Sequence, residues 1–120
     1  MARDLAVQFA AATKGLSVYC VTLGNTQVGR IVFKSSTSNW RSTCYVQLWG
    51  SAMVKGIASG YGYDKDSAAL KAAMAQHCDA SDPRALTHHT AIWKAVAARR
   101  EGEQWYDCLV RAGYTVQCVI

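Results

Sequence analysis

The first half of the chain alternates between apolar and polar positions in a way that predicts strands. Leu16–Leu23 and Val28–Ser35 are rich in β-branched and aromatic residues, and they flank the polar segment Gly24–Gln27. This arrangement is typical of a β-hairpin. After a polar loop, a third strand is expected over Cys44–Trp49, and a fourth from Met53 to about Ser59.

Helical patterns follow in the second half. Glycines end the fourth strand, Asp64 is a suitable helix cap, and alanine-rich sequence continues that helix to about His77. A second helix is expected to start at Pro83, and a third helical piece to cover Trp105–Arg111. The last segment, Tyr114–Ile120, alternates again and predicts a strand that returns to the sheet.

These elements predict one α+β domain over residues 1–120, with an antiparallel sheet of about four to five strands and two to three helices packed on one face. The opening segment Asp4–Lys14 is expected to add a short helix. The inner face of the alanine-rich helix is predicted to contain Ala69, Leu70, Ala73, Met74 and His77.

The composition is typical of a globular protein, because 51% of the residues are hydrophobic and only 18% are charged. No apolar stretch approaches the roughly 20 residues that a membrane span needs, so no membrane association is expected. The five cysteines are an odd number, widely spaced and mostly in apolar segments. A reducing compartment, the cytoplasm, is therefore the predicted location.

The net charge of +5 is unevenly distributed. Residues 1–60 contain six basic side chains and one acid, whereas residues 61–120 contain seven of each sign. The first half therefore carries the basic surface, which would attract an anionic partner such as nucleic acid or an acidic protein face.

Basic residues alternate with aromatic ones along the predicted sheet. The residues expected to bind a partner are Arg30, Lys34, Trp40, Arg41 and Lys55. Together with the aromatic residues Tyr19, Tyr45 and Trp49, they are also compatible with a platform on which bases stack and phosphates are neutralised. The partner is thus a host protein or ribonucleoprotein complex, with nucleic acid as the alternative.

The turn before the alanine-rich helix is a second candidate surface. Its residues Gly60, Tyr61, Tyr63, Lys65 and Ser67 are predicted to bind a partner or an anion at the helix N-terminus. The turn has neither the phosphate-loop spacing nor the dinucleotide fingerprint, so no cofactor is predicted. A third hypothesis is that it sequesters a small anionic nucleotide signal.

No catalytic or metal centre is predicted. The sequence contains no closely spaced cysteine pair and no helical pair of histidines, so His77, His88 and His89 do not form a zinc pattern with Cys78. A cysteine nucleophile, Cys78 or Cys108, would need an electropositive, partly exposed setting that its apolar context does not favour. The protein is therefore expected not to be an enzyme.

Residues 16–77 resemble double-stranded RNA-binding domains. Three antiparallel strands lead through a glycine-containing turn into the alanine-rich helix beginning Asp66-Ser-Ala-Ala69. The resemblance implies duplex RNA binding. That family usually places several lysines at the start of this helix, whereas this chain has Lys65 followed by Asp66.

Two segments resemble small proteins encoded by phages, prophages and plasmids: Gly60-Tyr-Gly-Tyr-Asp-Lys-Asp-Ser-Ala-Ala69 and the stretch from Trp105 to Val116. Such proteins include anti-CRISPR inhibitors, which typically act without catalysis by occluding a host defence complex. The resemblance implies a non-enzymatic inhibitor of this kind. The basic first half argues against a mimic of DNA, since mimics need dense negative charge.

Overall fold

The computed structural model describes residues 17–36, 40–60 and 64–119. The strands are β1 (Ser17–Leu23), β2 (Thr26–Ser36), β3 (Arg41–Leu48), β4 (Val54–Ser59) and β5 (Thr115–Cys118). The helices are α1 (Asp64–Met74), α2 (Pro83–Ala97) and α3 (Trp105–Arg111). The predicted α+β class is confirmed, while the helix expected over Asp4–Lys14 lies outside the described residues.

The five strands form one antiparallel sheet in the order β4-β3-β2-β1-β5. The final strand returns to pair with β1, as its alternating sequence predicts, with Val116 opposite Val21. The pairing of β1 with β2 shifts between Val21 and Thr22, because these residues face Gly29 and Gln27 and leave Val28 as an extra residue. A bulge of this kind bends the hairpin and increases its twist.

The helices bury one face of the sheet, here called the inner face. Val21, Ile31 and Val46 from the strands form a single apolar core with Leu70 of α1 and Ile92 of α2. Full burial of a side chain of this size contributes about 2 kcal/mol to folding.

Aromatic contacts fix the position of α3 against the sheet. The ring of Trp105 lies 4.9 Å from that of Phe33 on β2 and 4.8 Å from that of Tyr19 on β1. The contact with Tyr19 is edge-to-face and the contact with Phe33 is tilted, and such aromatic pairs are favourable beyond the apolar area that they bury. The prediction that the Trp105 segment covers the sheet is thereby confirmed.

The helix α1 lies closer to the sheet than a side chain on β4 would allow. Gly56 faces this helix, and a Cβ built on Gly56 would lie 2.1 Å from the carbonyl oxygen of Ala69 and 2.3 Å from the backbone nitrogen of Ala73. Both contacts involve helix backbone, which cannot rotate away as a side chain can. The sheet and α1 therefore meet backbone to backbone at this position.

The end of α1 differs from the prediction. The helix stops at Met74 instead of His77, and His77 is exposed, whereas Ala69, Leu70 and Ala73 are buried as expected. The carbonyl oxygen of Met74 accepts a hydrogen bond of 2.9 Å from the ring of the buried His89 on α2. The Met74 carbonyl oxygen is therefore bonded to α2, whereas in a longer helix it would accept a hydrogen bond from a backbone N–H of the next turn.

The start of α2 agrees with the prediction. Asp82 caps the helix by accepting a 2.9 Å hydrogen bond from the backbone nitrogen of Arg84, and Pro83 occupies the first turn. Hydrogen bonds from the Arg84 side chain and backbone hold the pKa of Asp82 below its usual value. None of the helices in the described ranges is long and apolar enough to cross a membrane.

Replacing Gly56 by Ala is expected to destabilise the protein by about 2 to 3 kcal/mol, because the new methyl group forces α1 away from the sheet. The measurement is urea unfolding followed by circular dichroism.

The matched control is Gly24→Ala, where the backbone is left-handed but no atom lies within 4 Å of the added carbon. That variant should lose only about 1 kcal/mol from backbone strain. Equal losses in the two variants would contradict the close approach of α1 to β4.

Candidate binding surface on the open face of the sheet

The four basic residues of the strands all point away from the helices. Ser42 and Cys44 are buried on the inner face, so the alternating position Arg41 points outward. The same alternation places Lys34, next to inner Phe33, and Lys55, next to inner Gly56, on this outer face. Arg30 also belongs to it, so the prediction that Arg30 and Lys34 share one strand face is confirmed.

Arg30 is nevertheless separated from the other cations by burial. It is 5% exposed, and its outer-face neighbours Val18 and Val32 are each 1% exposed. No helix among the described residues lies on this side of β1 and β2. The expectation that Arg30 presents its charge to a partner is therefore wrong for the folded chain, since a partner at the surface cannot reach its guanidinium group.

The other outer-face residues, which are at least partly exposed, form what we call the basic sheet face. It lies on β2, β3 and β4 and consists of Lys34, Arg41, Thr43, Tyr45, Lys55, Ile57 and Ser59. Lys34 pairs with Thr43, two positions along β3 from Arg41. With strands about 4.8 Å apart and a rise of about 3.4 Å per residue, the Cα atoms of Lys34 and Arg41 lie about 8 Å apart.

The charged residues of the strands are all basic and lie on β2, β3 and β4. None of the five strands contains an acidic residue, and seven of the eight acids of the chain fall between residues 64 and 107, in the helices and their connections. Repulsion between two cations at about 8 Å in water costs only about 0.5 kcal/mol and is screened further by salt. The fold therefore tolerates this concentration of charge without a compensating acid.

An aromatic ring and an aliphatic side chain lie among these cations. The ammonium group of Lys55 is 5.6 Å from the centre of the Tyr45 ring, within the range of a cation–π contact. Ile57 is 48% exposed and points outward two positions further along β4. Ile57 was not among the predicted site residues, although the alternation of β4 places it on the same face as Lys55.

Two aromatic residues of the predicted platform lie elsewhere. Tyr19 packs on the inner side against Phe33 and Trp105, so the expectation that it joins a stacking surface is wrong. Burial raises the pKa of Tyr19 above its usual value. Trp49 follows β3 and lines a small cavity with Arg84 and His88 of α2. Among the described residues, the aromatic side chains at the basic surface are therefore those of Tyr45 and Trp40.

Trp40 stands at the start of β3 in an unusual backbone conformation. Its φ angle is +52°, and it is the only residue other than glycine with a positive φ in the described ranges. Left-handed backbone costs an L-residue about 1 to 2 kcal/mol. The side chain is 52% exposed, so about half of the indole surface stays in contact with solvent.

A backbone hydrogen bond joins Trp40 to the second predicted surface. The amide of Gly60 donates to the carbonyl oxygen of Trp40 over 3.0 Å, and Arg41 pairs with Ser59. Lys65 lies beside Gly60, since a Cβ built on Gly60 would be 3.6 Å from the Cβ of Lys65. We call the group formed by Trp40, Arg41, Gly60 and Lys65 the Trp40 corner.

Two acids lie near this corner. Asp64 accepts a 2.9 Å hydrogen bond from Arg99, and Asp66 accepts a 2.5 Å hydrogen bond from the hydroxyl of Ser42. Arg99 offsets the charge of Asp64, whereas the neutral hydroxyl of Ser42 leaves the charge of Asp66 in place. The structure thus brings together the two candidate surfaces that the sequence treats separately.

The predicted turn has three further residues, of which only Ser67 is described. Tyr61 and Tyr63 lie outside the described residues, and Ser67 is buried at 4% exposure. Ser67 instead lines a cleft of about 330 Å³ between α1 and α2, together with Lys71 and Arg99. Such a cleft is within the size range of small-ligand sites, whereas the third hypothesis places the nucleotide signal at the turn with Lys65.

The histidines and cysteines take part in packing. His88 contacts the hydroxyl of Tyr114 at 2.9 Å, and the buried His89 holds Met74. Burial raises the pKa of the Cys78 and Cys108 thiols, and that of Cys44 well above its usual value. These thiols are thus poor nucleophiles at neutral pH. Within the described part of the chain, no three His, Cys, Asp or Glu residues form a group that could hold a metal ion.

Comparison with known proteins adds no relative. No family model matches the chain, and neither a curated protein nor a solved structure is similar to it. The resemblances to double-stranded RNA-binding domains and to phage-encoded inhibitors therefore stay predictions. The candidate surfaces of the described residues are the basic sheet face and the Trp40 corner.

Alkylation with iodoacetamide at pH 8 is expected to modify Cys118 first, because it is exposed, and to leave Cys44 and Cys108 intact in the folded protein. Mass spectrometry of peptides over time measures the rates. In urea that unfolds the chain, all five thiols should react alike. If native Cys108 reacted as fast as Cys118, the assignment of Cys108 to the core would be contradicted.

Proposed function

We propose that this protein is a non-enzymatic inhibitor that docks on a host defence complex through the basic sheet face and the adjoining Trp40 corner. It acts by occupying a surface that the complex needs, as the anti-CRISPR-like proteins that it resembles do. Binding, and not turnover, is the activity.

The observation that supports this proposal is the grouping of three exposed cations with two exposed apolar side chains on one side of the sheet. Lys34, Arg41 and Lys55 supply charge without a neighbouring strand acid, and Trp40 and Ile57 supply apolar contact area. Interfaces with strong affinity combine such features, since Trp and Arg are the most frequent residues whose removal weakens binding. Complementary charge accelerates the encounter with an acidic partner.

A second function is favoured by the contact between Lys55 and the Tyr45 ring. An aromatic ring with a cation beside it on an open sheet is the arrangement by which small domains bind nucleic acid directly. Under this alternative the protein is a small basic nucleic-acid-binding domain, and a defence complex is not its target.

The test is phage plating on a panel of bacterial strains whose CRISPR systems block a matched phage. Expression of the wild-type protein should restore plating in at least one strain. A triple variant, Lys34→Ala with Arg41→Ala and Lys55→Ala, should restore it at least about tenfold less, because three charges of the docking surface are removed. Folding of each protein is checked by circular dichroism.

The matched control removes the same charge from the helical side. Lys71, Lys94 and Arg100 are exposed residues of α1, α2 and the segment after α2, and their triple Ala variant should restore plating as the wild type does. Equal loss in both triple variants would show a non-specific effect of net charge. Restoration in no strain, with heterogeneous nucleic acid recovered on the wild type and lost from the sheet variant, would favour the second function.

A further inference from the structure

The cleft between α1 and α2 lies on the helical side of the sheet. Its volume of about 330 Å³ falls within the range of small-ligand sites. The residues that line it are Asp64, Ser67, Ala68 and Lys71 of α1, Val96 and Ala97 of α2, and Arg99, which follows α2. The cleft therefore shares no residue with the basic sheet face or the Trp40 corner.

A buried hydroxyl group in this cleft is left without a hydrogen bond. Ser67 lines the cleft and is 4% exposed, and its Oγ atom is buried with no hydrogen-bond partner within the described ranges. Buried polar groups in folded proteins are nearly always bonded, because an unpaired one destabilises the fold. Rotation about the Cα–Cβ bond lets the hydroxyl turn toward a molecule in the cleft. The folded chain thus keeps a donor that its own packing does not use.

The charged side chains of the cleft carry a net positive charge. Arg99 and Asp64 form an ion pair of 2.9 Å, so their charges offset each other. Lys71 is exposed and forms no ion pair with another described residue. The other acid of this helix, Asp66, bonds to Ser42 of the sheet and does not line the cleft. One negative charge on a ligand would therefore balance the lining.

The hydrogen-bonding groups that remain in the lining are donors. Ser67 and Lys71 are four residues apart on α1, so their side chains lie on the same face of the helix. The acid of the lining, Asp64, already accepts a hydrogen bond from Arg99. A carboxylate offers two acceptor oxygens and a single negative charge, which matches an ammonium group beside a hydroxyl.

The opposite wall of the cleft is apolar. Val96 and Ala97 of α2 present aliphatic groups, and Ala68 adds a methyl group from α1. From the donors and this wall we infer that the cleft binds a small aliphatic carboxylate. Lys71 and Ser67 hold its carboxylate group, and its hydrocarbon chain lies against the wall. This site is separate from the proposed docking function and does not rest on it.

The experiment titrates the full isotope-labelled chain with sodium butyrate, sodium acetate and butyramide at constant ionic strength and follows the backbone amides by NMR. Butyrate should shift the amides of Ser67, Lys71 and Ala97 and saturate in the millimolar range. Butyramide has the same shape without the charge and should bind at least about tenfold more weakly. Acetate should bind about fourfold more weakly for each methylene group that it lacks, because the wall covers those groups.

Variants of Lys71 test the charge. Lys71→Ala should weaken butyrate binding by about tenfold or more, as expected for loss of a hydrogen bond to a charged group. Lys71→Arg keeps the charge and should retain most of the affinity. The matched control Lys94→Ala removes an exposed lysine of α2 that does not line this cleft, and it should leave the affinity unchanged. Circular dichroism checks the folding of each variant.

Replacing Ser67 by Ala separates binding from packing. The variant should bind butyrate about fivefold more weakly, because one neutral hydrogen bond is lost. Its urea midpoint should nevertheless be higher than that of the wild type, because the unpaired buried hydroxyl is removed and Ala favours the helix. A lower midpoint would show that the hydroxyl stabilises the fold through a bond of its own, which would contradict the inference.

Equal affinity for butyrate and butyramide would overturn the inference, as would butyrate binding by Lys71→Ala at the level of the wild type. A stronger response of these amides to inorganic phosphate than to butyrate would also overturn it, since the apolar wall would then contribute nothing. None of these results changes the docking proposal, because its surface lies on the other face of the sheet and is tested by plating.

Discussion

The close contact between α1 and β4 determines which side of the sheet is available to a partner. Because Gly56 has no side chain, the backbone of α1 lies against β4 at the level of Ala69 and Ala73. This contact seats the first helix on the inner face, and α2 and α3 then complete the same apolar core. The outer positions of β3 and β4 are left as a solvated surface, which antiparallel sheets accommodate readily.

The solvated surface contains features that do not stabilise the folded chain. Three exposed cations repel one another weakly, and Trp40 occupies a left-handed backbone while half of its side chain stays in contact with solvent. Exposed ion pairs on the helical side, such as Arg111 with Glu103 at 2.8 Å, show that this chain has acids with which to pair cations. The five strands have none, and the proposed docking function would give a physical reason for the exposed cations there.

Much of the fold was predictable because buried and exposed residues alternate regularly along the strands. Alternation in β3 separates buried Cys44 and Val46 from half-exposed Tyr45, and the same period identifies the outward cations. The burial of Arg30 also had a signal that the sequence reasoning missed. Ile31, Val32 and Phe33 form an uninterrupted apolar run, which indicates a strand covered on both faces.

Other features depend on contacts that local sequence does not encode. Helical periodicity carries α1 through His77, but the helix ends at Met74, where His89, fifteen residues away, takes the terminal carbonyl oxygen. The positive φ of Trp40 has no local signal either, since neither its residue type nor its spacing favours left-handed backbone. The union of the two candidate surfaces depends on the pairing of β3 with β4, which sets Arg41 opposite Ser59 and allows the Gly60 amide to donate to the Trp40 carbonyl.

Charged and aromatic side chains on this surface would affect different steps of binding, namely encounter and dissociation. At physiological salt the screening length is about 8 Å, so three surface cations guide an anionic partner only over a short range. Each exposed charge pair contributes less than about 1 kcal/mol, which is too little to keep a partner bound for long. Residence therefore requires a contact that salt does not screen, and the indole ring of Trp40 is the largest exposed side chain beside these cations. Under the proposed function, charge would bring the partner to the sheet, and Trp40 would determine how long it stays.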